Sequence, residues 1–125
     1  MDVADLADAC QALAETLDNL RAAYKYGGPQ AVKLGELSAN LSAQASTLRT
    51  LVVADAITDS TDAVAALKDG TAAANDAGKR LTRVESAIQI AGQVLTFGAA
   101  VISENPGAVI TAASGLISAV KTLPT

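Results

Sequence analysis

The sequence predicts an all-α protein, an antiparallel bundle of four to five helices that ends in an apolar helical hairpin. Large apolar residues recur at alternating spacings of three and four, which is the period of one helix face. No segment alternates polar and apolar residues over the length of a strand. The final third is almost without charge, because Glu104 is the one charged residue between Glu85 and Lys121. These three observations define the predicted fold class.

Length and composition predict one domain over residues 1–125. Within it, residues 1–85 form an amphipathic, heptad-patterned body and residues 86–121 form the hairpin. The aromatic residues are Tyr24, Tyr26 and Phe97, so the core must be mainly aliphatic. A formal net charge of −4 argues against nucleic acid as a partner, because phosphate binding needs clustered Lys and Arg.

The first helix carries a narrow apolar stripe with strict heptad spacing. Three aspartates lie among the first eight residues, and Arg21 and Lys25 lie near the predicted end, as the helix dipole favours. A Gly-Gly-Pro sequence at residues 27–29 is predicted to end the helix, since glycine permits a left-handed cap and proline cannot continue the hydrogen bonding. The stripe consists of Val3, Leu6, Cys10, Leu13, Leu17, Leu20 and Tyr24.

The second helix is predicted from about Gln30, with Gln44 at one position of its apolar stripe. Its polar face is neutral: between Glu36 and Asp55 the only charge is Arg49. Such a face either is covered by another helix or subunit, or faces water. The apolar stripe consists of Leu34, Leu37, Leu41, Leu48 and Leu51.

A third helix is predicted after residues 58–62, where Asp59 or Ser60 can cap its first free N–H groups. Its middle, residues 70–78, holds no large apolar side chain and has a glycine at each end, which predicts a bend, a break or a thin waist. A continuous helix over residues 60–103 would be about 66 Å long. The helix therefore either breaks near residues 70–78 or projects the hairpin beyond the body.

The hairpin has two uncharged arms, residues 86–103 and 106–120, and Asn105 is a good N-cap before Pro106. The first arm is apolar over roughly 200° of its circumference, more than one core-facing stripe needs. We expect its contacts to be made by Ile90, Val94, Phe97 and Val101. On the second arm, small residues recur every four positions and permit close helix contact, at Gly107, Thr111, Gly115 and Ala119.

Catalytic chemistry has little support in this sequence. There is no histidine, which removes the commonest general base and a common metal ligand. Cys10 lies in the apolar stripe, where a free thiol acts as a small core side chain. No calcium loop or glycine-rich phosphate loop is present. The residues predict no enzyme, no metal and no cofactor.

Three roles for the hairpin remain open. It is a core element wrapped by the other helices, a surface that packs against copies of the same chain or a partner protein, or an element that inserts conditionally into a membrane. In the last two cases Lys79, Arg80, Arg83 and Lys121 would meet a polar partner or lipid headgroups at the base of the hairpin. Over residues 80–121 this layout resembles the apolar hairpins of α-helical pore-forming toxins.

The favoured function is a non-catalytic assembly or interaction protein whose hairpin packs against copies of itself or another helical protein. The alternative is a membrane-active helical protein. The acidic start of the chain lacks the basic segment and apolar run of a cleavable signal peptide. The expected location is therefore the cytoplasm, or outside the cell by a route that needs no such peptide. Partner, compartment and oligomeric state are left open by the sequence.

Overall fold

The computed structural model describes residues 3–22, 28–53 and 55–123, and over these residues it contains six helices and no strand. The predicted all-α class is therefore confirmed. α3 is a single turn, so five longer helices build the molecule. The helices are α1 (Ala4–Ala22), α2 (Pro29–Thr50), α3 (Asp55–Thr58), α4 (Thr61–Arg80), α5 (Val84–Ile102) and α6 (Pro106–Lys121).

The five longer helices pack side by side in the closed order α1, α2, α5, α6, α4, so that each has two main neighbours. α1 and α2 are antiparallel, because Cys10 contacts Gln44 and Ser38 contacts Ala14. α5 and α6 are joined by residues 103–105 and are also antiparallel. α1 and α4 run parallel, because Thr16 contacts Gly78 while residues near the start of α1 lie beside Leu67 and Lys68. α4 and α6 are parallel as well, since Arg80 near the end of α4 contacts Val120 near the end of α6. α2 and α5, each antiparallel to a member of this set, are therefore parallel to each other. The C-terminal ends of α1, α4 and α6 consequently share one end of the molecule with the N-terminal ends of α2 and α5.

The heptad stripe of α1 faces the core, as its spacing predicts. Val3, Leu6, Cys10, Leu13 and Leu17 are buried, and Leu20 is half-buried. Tyr24, the last predicted member of the stripe, lies outside the described residues, and so do Lys25, predicted near the end of the helix, and Gly27 of the Gly-Gly-Pro sequence. Gly28 has a φ of 123°, a conformation that favours glycine, and Pro29 is the first residue of α2.

α2 turns its leucines inward and leaves most of its neutral polar residues in contact with solvent. Ser38 and Gln44 are the exceptions: the Ser38 hydroxyl donates to the Ala14 carbonyl at 3.2 Å, and Gln44 reaches α5. Asn40, Ser46 and Thr47 are exposed. In the single chain, the neutral polar face of α2 is therefore mainly exposed to water and is not covered by another helix.

α4 corrects the prediction for the weak middle segment. The helix runs without interruption through residues 70–78, and the chain leaves helical conformation at residues 81–83 instead. The small residues of this segment lie where α4 packs closely against other helices, and Gly70, Ala74 and Ala77 are buried. Both predicted N-caps are confirmed: Ser60 accepts from the Ala63 N–H, and Asn105 accepts from the Ala108 N–H.

Candidate interaction surfaces

The four residues expected to make the contacts of the first hairpin arm lie in the core of the chain itself. Ile90, Val94, Phe97 and Val101 are each at most 1% exposed. α5 contacts α2 and α6, and more weakly α1 and α4, so these four side chains are covered by their own chain. Ile88, Leu95 and Ile102 on the rest of the helix are half-buried. A partner or a membrane reaches these side chains only if α5 leaves the bundle.

Phe97 packs directly against the backbone of α4 at Gly70. A Cβ atom at Gly70 would overlap the Phe97 ring, with its Cε2 atom only 2.7 Å away. The glycine therefore provides the space for the largest fully buried side chain of the described core. This contact explains why α4 carries a glycine in an unbroken helix.

A partly buried polar bridge joins α1, α2 and α5. The Gln44 amide donates to the Leu95 carbonyl at 2.9 Å, and the Cys10 thiol donates to the Gln44 carbonyl oxygen at 3.6 Å. Gly98 makes this possible, since a Cβ there would overlap the Gln44 amide. Within the described chain no buried side-chain nitrogen or oxygen lacks a partner. Gln44 is thus a specific helix-to-helix contact where the heptad spacing would place a leucine.

Cys10 has the properties of a structural thiol. Burial raises its pKa to about 11, and the positive charge of Arg49 opposes this rise without cancelling it. The side chain is fully buried, and the thiolate is the reactive form of cysteine. At neutral pH the group is therefore protonated and shielded from reagents.

The predicted small-residue track lies on the outer face of α6. Gly107, Thr111 and Gly115 are exposed, whereas Ala119, the last predicted member, is half-buried. Ile110, which precedes Thr111, is 38% exposed. The opposite face of α6, which includes Val109, Ala113, Leu116 and Val120, is buried. The track is consequently available for contact with another molecule.

The packing order brings three uncharged helix faces together. α2, α5 and α6 are consecutive neighbours, and their segments 37–50, 86–102 and 106–120 contain one charged residue, Arg49. We call the outward surface of these three segments the neutral side. The opposite side, formed by α1 and α4, carries exposed acidic residues at regular intervals. They are Asp5, Asp8, Glu15, Asp18, Asp62, Asp69 and Asp76.

The basic residues predicted at the base of the hairpin do lie at one end of the molecule. Arg80 pairs with Asp76 at 3.2 Å and also donates to the Val120 carbonyl at 3.4 Å, which ties the end of α4 to the end of α6. Arg80 and Arg83 line one small recess together with Leu123. Lys79, Arg83 and Lys121 are exposed. These residues can contact a polar partner without any change in the bundle.

A groove between α1 and α4 was not predicted from the sequence. It has a volume of about 840 Å³. Its larger apolar lining residues, Val3, Leu6 and Leu67, are buried, whereas its acidic residues Asp5 and Asp8 are exposed. Beyond the groove, α1 and α4 are joined where the Thr16 hydroxyl donates to the Gly78 carbonyl at 3.2 Å. The sequence feature that bears on this groove is the absence of large side chains at residues 71–77, which by itself predicts a weak helix and not a groove. The lining residues are Val3, Asp5, Leu6, Asp8, Ala9, Ala12, Leu67, Lys68, Thr71, Ala72 and Asn75.

Length and apolarity give α5 the properties of a membrane span, and 44% of its apolar window is buried in the bundle. The core helix of a water-soluble protein passes the same test.

Among the described residues no group of His, Cys, Asp and Glu could hold a metal ion. Comparison with protein-family models, with curated proteins and with solved structures finds no match. The functional argument therefore rests on the residues of this chain.

Proposed function

We propose that this chain is a non-catalytic assembly protein that packs through its neutral side, with the outer face of α6 at the centre of the contact. The single observation that supports this most is that the segments of α2, α5 and α6 on this side carry only one charged residue, Arg49, which is paired with Asp8 of α1. The partner is a second copy of the chain or another helical protein. The core residues of α5 hold the hairpin rigid, and α6 presents the contact.

The composition of the neutral side suits contact with protein. Two helices approach closely where small residues line the contact, and the α6 track offers Gly107, Thr111 and Gly115. Burying serine, threonine and glutamine costs little when each finds a hydrogen-bond partner, whereas burying an unpaired charge is expensive. Ile110 supplies an apolar side chain near the start of the track. In this conformation the surface lacks the continuous apolar area that a bilayer requires.

A lysine on the α6 track should weaken self-association while leaving the fold intact. Thr111→Lys places a charge at an exposed position, and lysine has a higher helix propensity than threonine. Sedimentation velocity from micromolar to millimolar protein should show wild-type species larger than the 12.5 kDa chain and an at least tenfold weaker association for the variant. Asn19→Lys, an exposed position on the opposite side, is the matched control and should behave as wild type. A wild-type protein that stays monomeric throughout would contradict self-assembly.

The second candidate function is conditional membrane insertion, which is favoured by the span-like α5 and by the basic residues at the base of the hairpin. Insertion would move α5 out of the bundle and break the contact between Gln44 and Leu95. Cys10, which is hydrogen-bonded to Gln44, would then lose its protection. The natural thiol therefore distinguishes the two functions.

We expect Cys10 to react about a hundredfold more slowly with a thiol reagent at pH 8 than it does in denaturant, because the reaction must await opening of the bundle. If the chain is an assembly protein, Cys10 stays protected after incubation with vesicles of phosphatidylserine and phosphatidylcholine, whether the incubation is at neutral or at acidic pH. Flotation of the protein with the vesicles together with rapid labelling would establish the membrane function instead. Ser46→Cys, at an exposed position, provides a rapidly reacting reference thiol.

A further inference from the structure

The bundle consists of two units, each continuous in sequence. α1 packs most extensively on α2, and α6 packs on both α4 and α5. The α1–α2 pair meets the α4–α6 unit along a seam where α1 contacts α4 and α2 contacts α5. Among the described helices, a division of the chain at this seam breaks the fewest contacts. The seam is therefore the interface at which the bundle opens most readily.

Side-chain contacts hold each unit together separately. Across the seam, the Thr16 hydroxyl donates to the Gly78 carbonyl and the Gln44 amide donates to the Leu95 carbonyl. The groove lies on the seam too, because its lining comes from α1 and α4, so the two units are not in full contact there. Contacts inside the units join Ala14 to Ser38, Asp8 to Arg49, Gly70 to Phe97 and Arg80 to Val120.

A short connection after α2 links the two units. α2 leaves helical conformation at Leu51, and α3, which packs on α4, begins at Asp55. Val52 in this connection is 85% exposed, more than any other large apolar side chain of the described residues, whereas Val53 beside it is buried. An apolar side chain is thus left without a contact at the point about which the α1–α2 pair must turn.

We infer that two copies of this chain form a dimer by exchanging their α1–α2 pairs across the seam. Each pair leaves its own α4–α6 unit and packs on that of the other copy, so that Thr16 of one chain bonds to Gly78 of the other. The structure itself shows that these surfaces fit, because they are the surfaces already in contact in the single chain. Exchange of identical elements at a short hinge is a low-cost route to a dimer.

The exchanged dimer is closed, because both seams are complete and each of the two bodies keeps the outer surface of the single chain. The two connections pass each other near the twofold axis, where the Val52 side chains of the two copies come together. The inference goes beyond the proposed contact through the neutral side, which remains available on each body. Exchange requires opening of the seam, so the dimer forms during refolding at high protein concentration and returns slowly to the monomer.

The test is a covalent link placed across the seam. Thr16→Cys with Gly78→Cys provides the thiols, since a Cβ atom at residue 78 lies 3.9 Å from the Thr16 Oγ1 atom, and Cys10→Ala removes the natural thiol. The protein is refolded from urea at micromolar or near-millimolar concentration and then treated with a short bismaleimide. Denaturing electrophoresis should show links within one chain at micromolar protein and at least tenfold more linked dimer at near-millimolar protein.

The matched control places the two thiols within one unit. Asp8→Cys with Arg49→Cys, also in the Cys10→Ala background, replaces an exposed ion pair between α1 and α2. Its link should stay within one chain at both concentrations, because the α1–α2 pair moves as a whole. Linked dimers from both pairs in equal amount would indicate random collision and overturn the exchange. Circular dichroism establishes that the helices of each variant are intact.

The results separate the exchange from assembly through the neutral side. Seam thiols that link only within one chain, in protein that sedimentation shows to be assembled, would overturn the exchange and leave the proposed function standing. Linked dimer that is unaffected by Thr111→Lys supports the exchange even if the α6 contact fails.

The natural chain gives a second measurement, which needs no new thiol. Dimer isolated after refolding at near-millimolar concentration should persist for minutes to hours after dilution to micromolar protein, because the seam must open before the chains can separate. A dimer that dissociates within seconds is a surface contact and would overturn the exchange.

Discussion

Replacing Phe97 with aspartate should leave the protein largely unfolded at room temperature. The ring is fully buried, and truncating such a residue to alanine alone costs about 3–5 kcal/mol. Aspartate adds a carboxylate in a site built from apolar atoms, which raises the loss further. Because small domains are stable by only about 5–15 kcal/mol, the sum approaches the whole free energy of unfolding. Far-UV circular dichroism with urea titration measures the effect.

The matched control is Ile110→Asp, which adds the same carboxylate to the other arm of the hairpin at a partly exposed position. The helices should persist in this variant, whereas assembly through the α6 face should weaken. A Phe97→Asp protein with the wild-type urea midpoint would show that the Phe97 ring is not buried against α4. The burial of the whole hairpin would then be in doubt.

Gly70→Ala should destabilise the protein although alanine is the better helix former. In an exposed helix this substitution stabilises by about 1 kcal/mol. At Gly70 the new methyl group meets the buried Phe97 ring, and overpacking of a core typically costs about 1–3 kcal/mol. We therefore expect a net loss of stability, measured as a lower urea midpoint with an unchanged m-value.

Gly92→Ala is the control, because a Cβ at Gly92 meets no atom within 4 Å and the substitution should stabilise α5. Phe97→Leu combined with Gly70→Ala should recover part of the loss, since leucine leaves room for the methyl group. The double-mutant cycle then gives a coupling energy between positions 70 and 97. Coupling near zero would place the two residues out of contact.

Local sequence patterns predicted the starts of α2, α4 and α6 because these depend on neighbouring residues, whereas the short α3 and the boundary at residues 81–83 were not predicted. The spacing of Leu6, Cys10, Leu13 and Leu17 is the same in the chain and on the buried face of α1. The caps Ser60 and Asn105 bond to N–H groups three residues away. The apolar circumference of α5 correctly indicated a helix with several neighbours, one of the alternatives that the sequence left open.

The fate of residues 70–78 could not be predicted locally. Two glycines and a run of small residues weaken an isolated helix, and the sequence therefore indicated a bend, a break or a thin waist. The Phe97 ring, 27 positions away in the chain, makes Gly70 necessary within a continuous α4. Gln44 is similar, because its polar side chain in an apolar stripe is explained by the Leu95 carbonyl of α5.

By itself, the sequence determined an all-helical chain with capped helices, an aliphatic core and an uncharged C-terminal third. Only the tertiary structure decided that Phe97 and its neighbours on α5 are core, that α6 carries the accessible face, and that α1 and α4 enclose a groove. It also decided that the nearly uncharged segments of α2, α5 and α6 are adjacent. The physical reason is that helix periodicity is fixed by hydrogen bonds between residues four apart, whereas helix order and direction are fixed by side-chain contacts between residues 34 to 62 positions apart.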